Sequence, residues 1–156
     1  MAEKSVQLKQ LEELLTGFWL TDLANFSAFF FSEIPEINWI GFYLNDGKKL
    51  VLGPFIGKPA CTTIAFDRGV CGYAFTHQKI MRVDDVHAFP DHIACDSTSR
   101  SELVLPFFIE KKLVGVLDID SPKLARFSQE DQDFFSQALK ILEFKLKGQK
   151  FFPSTF

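Results

Sequence analysis

At 156 residues and 47% hydrophobic content, the chain can bury one core but is too short for two ordinary domains, so one domain over 1–156 is expected. A net charge of −3, with no Lys/Arg cluster on a predicted face, denies a phosphate backbone the electrostatic footprint it needs and excludes nucleic-acid binding from the expected functions. The opening MAEKSVQLKQLEELL lacks an apolar run followed by small residues, and the apolar segment 18–31 is broken by Thr21, Asp22, Asn25 and Ser27. Neither a signal peptide nor a membrane span is expected, which points to the cytoplasm.

Ser5 to Leu15 is rich in strong helix formers, and Leu8, Leu11, Leu14 and Leu15 recur at helical spacing, which predicts a first helix. Gly17 interrupts it. A second helix is predicted from about Leu20 to Phe31, with Leu23, Phe26 and Phe30 on one stripe and Pro35 as its stop. Ile37 to Leu44 is β-branched and aromatic, Asn45-Asp46-Gly47 suits a hairpin turn, and Lys49 to Pro54 returns as the second strand. The segment GPFIGKPAC, Gly53 to Cys61, carries two Gly and two Pro and is expected to be loop. Thr62 to Phe66 is a short strand candidate. Gly69-Val70-Cys71-Gly72 opens a short helix over Tyr73 to His77, with Cys71 near its amino terminus.

Ile80 to Asp84 is another strand candidate, and His87 to Ser101 is a long polar loop of the kind that usually carries function. Two strands, Glu102 to Ile109 and Lys112 to Asp120, are joined by a turn at Glu110-Lys111 and stopped by Pro122. Ser128 is an N-cap ahead of Asp131 to Lys147, where acids begin and lysines end the predicted helix. The tail GQKFFPSTF holds three Phe that pack back or meet a partner chain. This order of elements predicts an α+β sandwich: a central antiparallel sheet, the terminal helices on one face and the long connections over the other.

Chemistry concentrates between Gly69 and Pro122, which contains two of the three cysteines, all three histidines and a set of acids. In LVGVLDID the alternation of a strand places Val114, Val116, Asp118 and Asp120 on one face and Leu113, Gly115, Leu117 and Ile119 on the other. The two carboxylates are then about 7 Å apart. In an enclosed pocket, like charges raise at least one carboxyl pKa and create a proton donor or an ammonium site; at an open strand end the same acids are merely solvated. Glu102, on the neighbouring strand, either joins them across the pairing or meets Arg100 on the surface. Trp39 is either core or the wall of an apolar subsite.

Cys61, Cys71 and Cys95 form no C-x-x-C pair, which argues against a thioredoxin-like motif and a zinc ribbon. The ordinary fate of a free cysteine is inert burial. These three instead fall in Gly/Pro-rich or polar segments, within reach of Arg68, His87, His92 and Arg100 as candidate cationic neighbours of a thiolate. A zinc site from the cysteines with His87 and His92 has irregular spacing, and no metal is expected.

Taken together, NWIGFYL, LGPFIGKPACTTI, F-x-x-GVCG, DVHAFPDHIACDSTSRSE and GVLDIDSP closely resemble the free methionine-R-sulfoxide reductases, which are built on a GAF domain. The resemblance covers roughly Asn38 to Pro122 and includes all three cysteines in order. It implies a GAF-like fold, no cofactor, and reduction of free methionine (R)-sulfoxide by cysteine chemistry, with thioredoxin as the recycling partner and a homodimer as the assembly. It also implies that Cys95, in HIACD, is the catalytic thiol, Cys61, in KPACT, the resolving partner, and Cys71, in GVCG, a third thiol that is an alternative partner for Cys95. Glu102, Asp118 and Asp120 match the acids around the substrate, and Trp39 the wall against its S-methyl group. Asp91 departs from the pattern, standing where a small residue, often glycine, is expected. A GAF module that binds an amine-bearing small molecule or senses redox state without turnover is the alternative.

Overall fold

The computed structural model describes residues 2–93 and 95–151. In chain order these form α1 (Ala2–Leu14), α2 (Trp19–Glu33), β1 (Trp39–Asn45), β2 (Leu50–Gly57), β3 (Thr63–Ile64), α3 (Gly69–His77), β4 (Met81–Val83), a 3-10 turn (Val86–Ala88), β5 (Ser101–Ile109), β6 (Lys112–Ser121) and α4 (Gln129–Lys145). The strands make one six-stranded sheet in the order β3-β2-β1-β6-β5-β4, with every pairing antiparallel.

Alternation along the strands divides this sheet into a structural face and a chemical face. Ile40, Phe42 and Leu44 of β1, Leu117 and Ile119 of β6, and Leu103, Leu105 and Phe107 of β5 point to one side, where they pack against Leu11, Leu23, Phe26, Phe30, Phe135 and Leu142 from α1, α2 and α4. Edge-to-face rings run through this layer, Phe26 on Phe42 at 5.5 Å and Phe30 on Phe135 at 5.3 Å. On the opposite side, Trp39, Tyr43, Val104 and Val116 meet Val70, Cys71, Ala74 and Phe75 of α3. Both ends of the chain therefore serve the first core, and the middle of the chain closes the second.

The helix ends follow from local chemistry. Gly17 turns the chain with φ +92°, and the buried Asp22 carboxylate accepts from Thr16 N at 2.8 Å, Thr16 Oγ1 at 2.7 Å and Gly17 N at 2.7 Å. This satisfies backbone donors between α1 and α2 that would otherwise be orphaned. Ile34 is extended ahead of Pro35 and ends α2. Ser128 caps α4 in a capping box with Asp131. Phe151 stacks on Trp19 with ring centroids 5.1 Å apart, so the part of the tail that is described packs back; Phe152 and Phe156 lie outside the described residues.

Two sequence expectations are corrected here. Gly53 to Gly57 is strand and not loop: Phe55, Ile56 and Gly57 pair with Gly41, Ile40 and Trp39. The register shifts between Gly41 and Tyr43, so Phe42 faces both Gly53 and Pro54, and a bulge absorbs the residue that cannot donate. β3 pairs only with Leu50 and Val51, which leaves this part of β2 as an edge where proline is tolerated. The second correction concerns β6. A register shift against Phe107 and Phe108 makes Val114 an extra residue, so Leu113 turns to the chemical face and Val114 to the structural one, the reverse of strict alternation.

Gly41 is a point of close approach in the sheet: a Cβ there would lie 2.3 Å from Phe55 Cβ and 2.9 Å from the Pro54 carbonyl oxygen. Gly41→Ala should destabilise the protein by about 1–3 kcal/mol, as overpacking against backbone does. Chemical denaturation checks this. A midpoint equal to that of the parent would show that β2 can move away at no cost.

Candidate active site

Three adjacent strands build the floor of a pocket. Glu102 of β5 is the cross-strand partner of Asp120 of β6, and Asp120 is the partner of Trp39 of β1, which gives a row of acid, acid and indole across the sheet. One pleat further along, Asp118 lies between Val104 and Gly41. Gly41 has no side chain, and Phe55 of β2 takes the space a Cβ there would fill. Glu102 and Asp118 are each only 6% exposed, whereas Asp120 is half-buried. Glu102 is thus turned into the pocket and does not make a surface pair with Arg100.

Burying three carboxyls together has an electrostatic consequence. Desolvation, then the charge of Asp120, pushes the Glu102 carboxyl up to about 8. Desolvation first and a neighbouring carboxylate second hold Asp118 and Asp120 well above the usual carboxylate range. Glu102 therefore keeps its proton at neutral pH. The Asp118 Oδ1 is buried without a hydrogen-bond partner, as are Asn38 Oδ1 and Arg126 Nε among the described residues.

Cys71 enters from the first turn of α3, where Gly69 takes φ +65° to start the helix. Its thiol donates to Glu102 Oε2 at 3.9 Å, and burial followed by the charge of Asp118 pushes it well above the usual thiol range. Cys71 Sγ and one oxygen each of Glu102 and Asp118 lie within 4.8 Å of one another. The cysteine–histidine set considered from sequence is not assembled. His87 and His92 face each other at 6.3 Å between ring centroids, while Cys61 and Cys95 are bonded to each other.

That disulfide has its Cα atoms 5.4 Å apart and leaves Cys71 free, and its Cys95 lines the pocket together with Ala60, the neighbour of Cys61. Of the two pairings open to Cys95, the structure contains the one with Cys61. Each sulfur rides on an anchored loop. Tyr43 Oη donates to the Cys61 carbonyl at 2.9 Å, and Trp39 Nε1 to the Lys58 carbonyl at 3.1 Å. On the other side, Asp96 Oδ1 accepts from Thr98 N at 2.9 Å and Asp96 Oδ2 from Asn38 Nδ2 at 3.0 Å. Asp91 stands at φ +58°, the left-handed conformation in which glycine is at home and which aspartate tolerates, so its departure from the pattern leaves the turn possible. Of the four cationic neighbours considered, Arg68 and His92 line the pocket with Cys95. Desolvation, and then His87, lower the His92 pKa, which leaves Arg68 as the cation.

Residues 22–143 match the GAF domain family model. The free methionine-R-sulfoxide reductase of Escherichia coli is 47% identical over 139 residues, 87% of this chain and 84% of that protein. The chain belongs to this GAF-fold reductase family. The solved structure of the Neisseria meningitidis free methionine-R-sulfoxide reductase in complex with its substrate superposes with a TM-score of 0.84 at 45% identity, over 89% of this chain and 85% of that one. The reduced form of the Staphylococcus aureus fRMsr superposes with a TM-score of 0.89 at 41% identity, over 92% and 94%. As a free methionine-R-sulfoxide reductase family member the chain is an oxidoreductase.

Two elements of this reductase-family pocket escaped sequence reasoning. Tyr43 shares the face of Trp39 and Gly41 by simple alternation in NWIGFYL, a signal that was available. Asn38, one residue ahead of β1, had none, because its partners Asp96, Thr98 and Ser99 lie about sixty residues away.

Proposed function

We propose that the chain reduces free L-methionine (R)-sulfoxide to methionine, with Cys95 as nucleophile, Cys61 as resolving cysteine and thioredoxin as reductant. The observation that carries the proposal is a disulfide whose Cys95 lines the same pocket as Glu102, Asp118 and Asp120, acids raised above the usual carboxylate range. An oxide is a poor leaving group, so thiolate attack on sulfoxide sulfur requires a proton on the oxygen. In this reading the enclosed Glu102 and Asp118, both raised above the usual carboxylate range, are the source. Asp120, between Glu102 and Trp39 in the row and less buried than the other two acids, receives the substrate ammonium, with the indole as the wall for the S-methyl group.

The steps balance. The Cys95 thiolate forms a bond to the sulfoxide sulfur, a carboxyl proton goes to its oxygen, and methionine leaves as that oxygen passes to Cys95 as a sulfenic acid. The Cys61 thiol then attacks Cys95 sulfur, expelling water and closing the disulfide. A thioredoxin dithiol opens it again, taking the two oxidising equivalents. Negative charge in the pocket disfavours the Cys95 thiolate, and the substrate ammonium offsets it, so the nucleophile forms with substrate bound. Cys71, neutral and buried against Glu102, acts as a third thiol that backs the acid cluster.

We also take residues 1–156 as one GAF domain and the chain as a cytoplasmic homodimer, on the strength of the family resemblance; among the described residues no helix is long and apolar enough to cross a membrane. Free methionine (R)-sulfoxide, thioredoxin, thioredoxin reductase and NADPH test the proposal together. NADPH should be consumed in step with methionine formed, and Cys61→Ser should release one methionine per chain and then stop. Absence of turnover by the reduced protein would leave a binding module without catalysis. Normal recycling by Cys61→Ser would move the resolving role to Cys71.

A further inference from the structure

The segment Asn38–Tyr43 reaches both loops that carry the redox sulfurs. At Cys61, the Tyr43 hydroxyl donates to the carbonyl of that same residue at 2.9 Å, and the Trp39 indole holds Lys58 three residues earlier at 3.1 Å. Gly57, just ahead, is pressed against the indole; a Cβ there would lie 2.4 Å from Trp39 Cδ1. At Cys95, the Asn38 amide donates to Asp96 Oδ2 at 3.0 Å and to Ser99 Oγ at 3.0 Å, and Asp96 closes its own turn on Thr98. None of these contacts involves sulfur, so none is lost when the S–S bond opens. Tyr43 is 1% exposed, and burial, then Asp118, keep its phenol protonated, so its hydroxyl remains a donor.

We infer that Tyr43 and Asn38 are positioning residues for the dithiol–disulfide couple, holding the Cys61 and Cys95 loops toward each other when the bond is open. A loop tethered by its own backbone presents its thiol at a high effective concentration, whereas a free loop of the same length spends most of its time elsewhere. Without the anchors the reduced state gains conformational freedom and closure loses its advantage. This inference rests on the proposed pairing of Cys95 with Cys61 as the working couple.

The test uses glutathione in place of substrate, in a Cys71→Ser background that leaves two thiols. The protein is equilibrated in glutathione/glutathione disulfide buffers, where one glutathione disulfide oxidises one protein dithiol and yields two glutathiones; after alkylation, mass spectrometry reads the oxidised fraction. Tyr43→Phe keeps the ring and removes one donor, and Asn38→Ala frees the opposite loop. Each should shift the equilibrium toward the dithiol by about tenfold, ~30 mV for a two-electron couple. A role confined to folding would lower the thermal midpoints of oxidised and reduced forms alike and leave this equilibrium unmoved. Parent-like equilibria in both variants overturn the inference. If only one variant folds, its equilibrium decides for its own loop. A parent that closes its disulfide normally but releases no methionine from the sulfoxide overturns the proposed reaction and leaves the positioning role standing.

Discussion

Cys95→Ser should release no methionine in the first turnover, a loss of more than about a thousandfold, on the scale set by removal of other covalent nucleophiles. The size of the effect follows from the number of steps that need this sulfur. In the proposed cycle it attacks the sulfoxide, receives the oxygen and then joins Cys61; a serine hydroxyl at the same place is a far weaker nucleophile and cannot form the disulfide. Single-turnover assay of the fully reduced variant, with methionine quantified by chromatography, measures it. Cys61→Ser shares the loss of the disulfide but keeps the first release, so the pair of variants separates oxygen transfer from recycling. Residual first-turnover release near the parent rate by Cys95→Ser would return the nucleophilic role to Cys71.

The acid cluster gives the second large effect. In Asp118→Asn the pocket loses a buried proton donor, and kcat/KM should fall by about a hundredfold to a thousandfold. In the parent, kcat/KM should hold through neutral pH and fall on the alkaline side of about 8, where Glu102 releases its proton; the limb belongs to the coupled cluster and not to one carboxyl. Stability moves the opposite way in the variant. The folded Glu102 binds its proton up to about 8, while its ordinary value is 4.5, so between these values the folded state holds a proton that the unfolded state has given up. Stability of the parent therefore falls as pH rises across that window. Asp118, raised in the same direction by its own burial, adds a penalty of the same sign, and asparagine has no proton to lose, so Asp118→Asn should unfold at a higher denaturant concentration than the parent near pH 8 while it turns over far more slowly. A variant that loses activity and stability together would show collapse of the pocket, not loss of a proton.

The legible parts of this molecule are those in which one short segment decides the outcome. The hairpin turn at Glu110-Lys111 was read from sequence, and both residues take positive φ, 49° and 70°. Ser128 was read as a cap and closes a capping box. Asp118 and Asp120 were placed on one face by alternation, which holds because β6 is regular from Gly115 onward. Illegible parts depend on what a distant segment offers. GPFIG reads as loop until Gly41, on another strand, makes room for Phe55. Whether three acids are solvated or enclosed is decided by α3 and the Cys61 and Cys95 loops folding over them, and no periodicity within β5 or β6 records that. The disulfide partner of Cys95 was implied by family resemblance alone, since two spacings were open and local composition favoured neither.

The Cys61–Cys95 bond spans a sequence separation of 34 residues, and within that span lie both edge strands of the sheet, β3 and β4, and α3, the helix packed on its chemical face. In the chain-entropy picture a closure of this length limits the unfolded ensemble enough to favour the fold by roughly 3–4 kcal/mol. In the proposed cycle, where this bond is made and broken in each turnover, it is therefore also a removable brace. The oxidised chain should resist unfolding more strongly than the dithiol, so that its capacity to withstand heat or proteolysis would rise and fall with how recently it met an oxidised substrate.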